Sequence, residues 1–124
     1  LESFAISLLT KQQINAMQAE IENNIIEIEK ILAEDRAKSF EFDSLFHLLI
    51  VKSTDNMAIF EAYKHIEAKI QLLRIEQYIS PTNFRHYIQQ HKKIYSLLQE
   101  NKKDECKRIL YDHIHHKPMP DIFN

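Results

Sequence analysis

The sequence predicts an all-α fold, an antiparallel bundle of about six helices, and three observations support this prediction. The 124 residues include no glycine, although glycine usually makes up about 7% of a chain, and this disfavours an all-β fold with tight hairpin turns. Apolar residues recur at spacings of three and four, the period of an amphipathic helix. Thr10, Pro81 and Asn101 stand where such stripes begin or end, so short polar connections between helices are expected.

The first half of the chain is predicted to hold a long helix followed by a shorter one. Thr10 and Gln13 form a capping-box signature at the start of the long helix. Its inward stripe comprises Ile14, Met17, Ile21, Ile25, Ile28 and Leu32. After the charged break AEDRAK, a second helix is expected to end near Lys52. Its inward residues are Phe42, Leu45, Phe46, Leu49 and Ile50, and Asp55 and Asn56 then supply capping chemistry.

Three further helices are predicted in the second half. From Met57 to about Ile79 the apolar stripe is wide, which indicates a helix buried on more than one side. The stripe comprises Ile59, Tyr63, Ile66, Ile70, Leu72, Leu73, Ile75 and Ile79. Ser80 and Pro81 end this helix, and Pro81 begins the next, which turns inward Phe84, Ile88, His91, Tyr95 and Leu98. Asn101 is the expected left-handed residue, and a last helix from about Lys103 to His116 buries Cys106, Ile109, Leu110 and His113.

Length and composition predict one domain, residues 1–117, with a tail at 118–124. Lys and Arg number 16 against 18 Asp and Glu, without a run of five like charges, so a nucleic-acid surface is not expected. The single Cys106 fits a reducing compartment, and the apolar runs are far shorter than the ~20 residues that cross a bilayer. We therefore expect a cytoplasmic protein. The abrupt opening LESFAISLL suggests a fragment of a longer chain.

Four residues are predicted to form a site for a divalent metal. Asp43 and His47 lie four residues apart, so on a helix their side chains leave the same face. His91 and His113 fall on the apolar stripes of two later helices, where an imidazole faces the core. A carboxylate beside Phe42 and Phe46 is costly to bury without a positive partner. One carboxylate and three imidazoles are a suitable ligand set for such an ion.

Simpler interpretations stay open for each of these side chains. A single histidine on an apolar stripe is more often a core residue than a ligand, and Asp43 would also suit a solvated edge or a salt bridge to lysine. His65 and His86 fall off the stripes and are predicted to face water. His115 and His116 sit at a helix C-terminus, where cations suit the helix dipole. Cys106 is predicted to be a packing residue.

FDSLFHLLIVKSTDN has an Asp, a Phe-His pair and an Asn that ends the loop, and HKKIYSLLQENKKDECKRILYDHI has two histidines 22 residues apart. Both segments resemble the FCD domain, the helical effector-binding domain of FadR-subfamily regulators in the GntR transcription-factor family. The family usually has glycine where Asp55 and Asn101 stand here, and both residues tolerate left-handed geometry. The family's N-terminal winged helix-turn-helix domain has no counterpart in this sequence.

The resemblance implies metal-ligand roles for Asp43, His47, His91 and His113, with Zn²⁺ or Ni²⁺ as the ion. It also implies ligand contacts from Asn56, which matches the loop Asn, and from Arg74 on the central helix. The hypothesis is that a small carboxylate metabolite coordinates the metal inside the bundle and shifts helix packing. A homodimer would then bind DNA through the N-terminal domain.

Two rival functions remain. A mononuclear metal hydrolase or isomerase would use the same four residues with a general base, for which Glu41 and Tyr95 are near enough in sequence. HExxH is absent, and we predict that the chain is not an enzyme. The third interpretation is a structural dimerisation module whose histidines are merely packed.

Overall fold

The computed structural model describes residues 1–31, 34–75 and 81–115, with side chains omitted at 36, 37, 70–75, 81–84, 114 and 115. These ranges contain seven helices and no strand, so the predicted all-α class is confirmed. The helices are α1 Glu2–Leu8, α2 Lys11–Ala16, α3 Gln18–Ile31, α4 Arg36–Lys52, α5 Met57–Ile75, α6 Pro81–Gln99 and α7 Lys103–His115. Within the described segments, no helix combines the length and the apolar character needed to cross a membrane.

The long helix predicted after Thr10 is divided into α2 and α3 by a turn at Met17. The capping box is present as predicted: Gln13 N–H donates to Thr10 Oγ1, and Thr10 N–H donates to Gln13 Oε1. Met17 N–H bonds to the Gln13 carbonyl, and the Met17 carbonyl accepts from Ile21 N–H. Backbone hydrogen bonding therefore continues across the break, which explains why the apolar period does not reveal it.

Short polar side chains set the limits of the central helices. The α4 helix begins inside the charged segment rather than after it, because Asp35 accepts a hydrogen bond from Lys38 N–H as its N-cap. It ends at Lys52 as predicted. Asp55 and Asn101 have φ of 52° and 59°, so both take the left-handed geometry expected of them. The Asn56 side chain accepts from Ile59 N–H at the start of α5.

The main core lies between α1–α4 on one side and α6 and α7 on the other. It includes Ile6, Ile14, Met17, Ile21, Phe46, Ile50, Ile94, Leu98, Cys106 and Leu110. Two smaller clusters flank it: one joins Ala5 and Val51 to Ile59 and Tyr63 of α5, and the other centres on Ile28, Tyr87 and Ile88. Most predicted inward residues are therefore buried.

Two predicted inward residues are exposed instead. Leu45 of α4 is 40% exposed and Ile66 of α5 is 38% exposed, because the neighbouring helices cover only the adjacent part of each stripe. Among the described side chains of α5, burial is confined to Ile59 and Tyr63, so the prediction of burial on several sides is wrong for this part of the helix. The other predicted positions lie outside the described side chains: Leu32, Ile70, Leu72, Leu73, Ile75, Ile79 and Phe84.

The turn between α6 and α7 places the two halves of the second motif side by side. Asn101 N–H bonds to the Leu98 carbonyl and Lys102 N–H bonds to the Leu97 carbonyl, which is the pattern of a left-handed helix cap. The two helices pack along each other. Because His91 lies ten residues before Asn101 and His113 lies twelve after it, an antiparallel return brings the two histidines level.

The capping box gives a direct test of the fold. Thr10→Ala removes the side-chain acceptor for Gln13 N–H and is expected to lower the free energy of unfolding by about 1 kcal/mol, measured by urea denaturation. Thr10→Ser keeps the hydroxyl and should lose much less. An equal loss in both variants would show that the methyl group matters and the cap does not.

Candidate metal centre

Three helices bring the four predicted ligands together in the interior. Asp43 and His47 project from the same face of α4, one turn apart, His91 comes from α6, and His113 comes from α7. All four side chains are buried, with exposed fractions of 0–1%. Each residue offers one ligand atom, and these atoms lie within 4.8 Å of one another. The four residues could therefore hold one metal ion.

The imidazole Nε2 atoms and one carboxylate oxygen converge on the same small volume. The Nε2 atom of His113 lies 3.0 Å from that of His47 and 3.1 Å from that of His91. Asp43 Oδ1 lies 2.7 Å from His91 Nε2 and 3.9 Å from His47 Nε2. Two nitrogens bound at about 2.1 Å to one ion are about 3.0 Å apart at right angles and about 3.4 Å apart in a tetrahedron. The four donor atoms are therefore close enough together to share an ion.

Hydrogen bonds on the far side of two rings orient their Nε2 atoms toward this centre. His47 Nδ1 lies 2.7 Å from both carboxylate oxygens of Glu2, so an ionised Glu2 requires the proton on Nδ1. His113 Nδ1–H donates to Gln90 Oε1 at 2.8 Å. In the neutral rings both Nε2 atoms then carry lone pairs. Two lone pairs that face each other at 3.0 Å repel, and either a metal ion bound by both nitrogens or a second proton on one ring removes this repulsion.

His91 is positioned by stacking. Its ring lies parallel to Phe46, with centroids 3.9 Å apart and planes inclined by 3°. Its Nδ1 has no hydrogen-bond partner among the described residues. Packing therefore fixes the Nδ1 side of this ring, whereas hydrogen bonds fix the Nδ1 side of the other two.

Tyr87 forms part of the wall beside these ligands. Its ring meets His113 edge-on, with centroids 5.5 Å apart. Burial, helped by the negative charge of Asp43, raises the pKa of the Tyr87 phenol to about 12. The hydroxyl therefore stays protonated at neutral pH, and it adds no negative charge to the centre.

Two buried carboxylates can balance the charge of a divalent cation. Glu2 and Asp43 are 3% and 1% exposed, and with both ionised and the three imidazoles neutral the five side chains would carry a net charge of −2. A bound dication brings the sum to zero. Nitrogen donors with a single carboxylate suit Zn²⁺, Ni²⁺ and related ions, so the donor chemistry fits the implied metal.

Sequence reasoning missed Glu2 and Gln90. Glu2 shares the buried face of α1 with Ala5, Ile6 and Leu9, and a carboxylate on such a face was a usable signal. Gln90 directly precedes His91 and lies half-buried on the face of α6 toward α7. Its role depends on how α6 and α7 pack, and no local pattern indicates it.

Of the two residues predicted to contact the effector, the structure describes the side chain of Asn56. Asn56 is exposed and caps α5, beside a cleft of about 210 Å³ lined by Lys52, Asp55, Met57 and Phe60. Arg74 lies in α5, but its side chain is outside the described residues. Neither predicted ligand contact is tested by the structure.

Two of the histidines outside the centre, His65 and His86, have described side chains. His65 is exposed, as predicted. His86 was predicted to face water but is half-buried beside Tyr87, and burial lowers the pKa of its imidazole. His116 and the side chain of His115 lie outside the described residues.

Neither residue considered for a general base faces the centre. The Glu41 side chain is exposed, whereas the four donors are buried. The Tyr95 hydroxyl accepts a hydrogen bond from Gln99 Nε2 at 3.0 Å. Burial raises the pKa of that phenol, and the Glu22 charge adds to the effect.

Comparison with known proteins supports the resemblance seen in the motifs. The model of the FCD domain family matches residues 1–116 of the 124-residue chain. The match includes all four buried donors and the loop residues Asp55 and Asn56. No curated protein and no solved structure matches the chain significantly.

The reactivity of Cys106 offers a test of burial in the main hydrophobic core. It is fully buried and contacts the Ile94 carbonyl. Burial, with a contribution from the Glu2 charge, raises the pKa of its thiol to about 12. At pH 8 roughly one molecule in ten thousand would be thiolate, so the native protein is expected to react with a disulfide reagent such as DTNB only as it unfolds. Full reaction in guanidinium is the control, and rapid reaction of the native protein would contradict this burial.

Proposed function

The chain belongs to the FCD domain family, and on this premise we propose that it is the effector-sensing domain of a GntR-family transcriptional regulator of the FadR subfamily. The FCD domain is a regulatory domain of transcription factors and is associated with effector sensing in the GntR family. In this proposal the domain binds a divalent metal and a small organic acid, and DNA is bound through a domain that these 124 residues do not include.

The main support for the proposal is the convergence of the four buried donors on one point. Asp43, His47, His91 and His113 would hold the ion, with Zn²⁺ or Ni²⁺ the best match to three imidazoles and one carboxylate. The ion would supply a Lewis-acidic centre for an anionic ligand. The outer nitrogens of His47 and His113 contact Glu2 and Gln90, so both Nε2 atoms turn toward one point, where an ion could accept both lone pairs.

A small carboxylate is the proposed effector because its oxygen can occupy a coordination position that four protein ligands leave open. Glu2 changes the electrostatic basis of this binding. Counting the four ligands alone leaves a dication with a net charge of about +1, whereas adding the buried Glu2 leaves zero. Selection of one acid over another would then depend on the open coordination position of the ion and on a cationic partner for the acid. Arg74 is the residue proposed for that partner. Asn56 is the second proposed contact.

Binding would act through the helices that supply the ligands. Because α4, α6 and α7 each contribute to the centre, a bound acid can favour one of two packings of these helices. We propose that the regulator acts as a homodimer in the cytoplasm, since regulators of this kind bind two DNA half-sites.

The metal is tested first by elemental analysis of protein purified without an affinity tag or added metal. We expect about one equivalent of zinc or nickel per chain, because the four donors form a single site. His91→Ala should lose this metal while keeping its helicity by circular dichroism. His65→Ala, which changes an exposed histidine on α5, is the matched control and should retain it.

The effect of metal and of EDTA on stability distinguishes a metal-binding domain from a purely structural module. Protein that neither contains metal nor takes it up on titration would refute the proposed site. For a metal-binding domain, free metal at 100 times its dissociation constant should stabilise the fold by about 2.7 kcal/mol, and EDTA should lower the melting temperature. A purely structural module would melt at the same temperature with and without EDTA.

Effector binding is tested by calorimetric titration of small mono- and dicarboxylates into metal-loaded protein. We expect saturable binding of at least one acid that disappears in metal-free protein and in His91→Ala. Acids that bind equally well without metal would exclude coordination to the ion. Conversion of the bound acid, followed by NMR, would favour a metal-dependent enzyme over a sensor.

A further inference from the structure

Glu2 is a buried carboxylate that contacts a proposed metal ligand from outside the ligand set. It is 3% exposed and lies at the start of α1. Both of its oxygens are 2.7 Å from His47 Nδ1, on the side of the ring opposite the converging Nε2 atoms. A carboxylate in this position fixes the tautomer and orientation of a metal-bound histidine and makes it a stronger ligand.

The helix that carries Glu2 is short and depends on its contacts. With seven residues, α1 is far below the length at which an isolated helix is stable in water. It packs on α4 and α7, and Lys103 Nζ donates to the carbonyls of Ser7 and Leu9 near its end. Its opposite face is exposed at Leu1, Phe4 and Leu8. The packing of α1 is therefore sensitive to the strength of the Glu2 contact.

A cation at His47 Nε2 would strengthen that contact. It draws electron density from the ring, so the Nδ1–H group becomes a better donor to the carboxylate, and hydrogen bonds between charged groups are shorter and stronger than neutral ones. By thermodynamic linkage, tighter packing of α1 must then raise metal affinity by the same factor by which metal favours that packing.

We propose that Glu2 is a positioning residue that orients His47 toward the metal and couples occupancy of the metal centre to the packing of α1. This inference rests on the proposed metal-binding function. It identifies α1 as an element that responds to the centre although it supplies none of the four ligands.

The experiment measures metal affinity and backbone hydrogen exchange in the same set of proteins. Zinc affinity is measured by competition with a chromophoric chelator, and amide exchange is followed with and without saturating zinc. Glu2→Gln keeps the size of the side chain and removes its charge. Glu61→Gln, an exposed glutamate on α5, is the matched control for the loss of one negative charge.

In the wild type and in Glu61→Gln, zinc is expected to slow exchange in α4, α6 and α7 and also at residues 5–8 of α1. In Glu2→Gln the affinity should fall by about 10- to 100-fold, the usual effect of losing such a partner. At saturating zinc this variant should keep the protection of the ligand helices and lose the zinc-dependent protection of α1. A purely structural role would change exchange in α1 equally with and without zinc.

Three outcomes would overturn the inference. Wild-type protein that binds zinc without added protection in α1 would exclude the coupling, even if Glu2→Gln failed to fold. Equal zinc affinity and equal α1 protection in the wild type and Glu2→Gln would exclude the role of Glu2 and leave the metal site intact. Wild-type protein that takes up no zinc would refute the proposed function together with this inference.

Discussion

The interior of this domain is constrained by two imidazole nitrogens that face each other at 3.0 Å. Glu2 and Gln90 hold the outer nitrogens of His47 and His113 as donors, so the inner nitrogens of the neutral rings meet as lone pairs. A metal ion bound between them, or a second proton on one ring, removes the repulsion of the two lone pairs. The buried carboxylate of Asp43 and the third imidazole complete a set of donors around that point.

This constraint links elements that are distant in the chain. The centre draws side chains from α1, α4, α6 and α7, and these helices also enclose the main hydrophobic core. Phe46 belongs to both, because it is buried in that core and stacks on the ring of His91. Because protein interiors are close-packed and transmit strain, Phe46 connects the donors to the packing of the core.

Charge and burial describe what the centre offers to an ion. With both carboxylates ionised, Glu2 and Asp43 would balance the charge of a dication, and Tyr87 stays protonated beside them. Glu41 is exposed, and the Tyr95 hydroxyl accepts a hydrogen bond from Gln99, so neither side chain faces the donors. The centre is a set of buried donors that could hold one ion, supplied by three helices of the bundle.

The sequence by itself determined the helical class, the helix limits at Lys52, Pro81 and Lys103, and the left-handed residue Asn101. These features depend on interactions within a few residues, so apolar period and capping chemistry reveal them. The spacing of Asp43 and His47 and the stripe positions of His91 and His113 also predicted four inward side chains.

Only the tertiary structure decided the rest. It placed Glu2 and Gln90 behind two of the histidines, left Leu45 and Ile66 exposed, and divided the long helix at Met17. The contacts and the exposed fractions depend on which helix packs against which, at separations of up to 45 residues for Glu2 and His47. A local pattern specifies the face that a side chain occupies, whereas the partner that meets that face is set by the packing of the whole bundle.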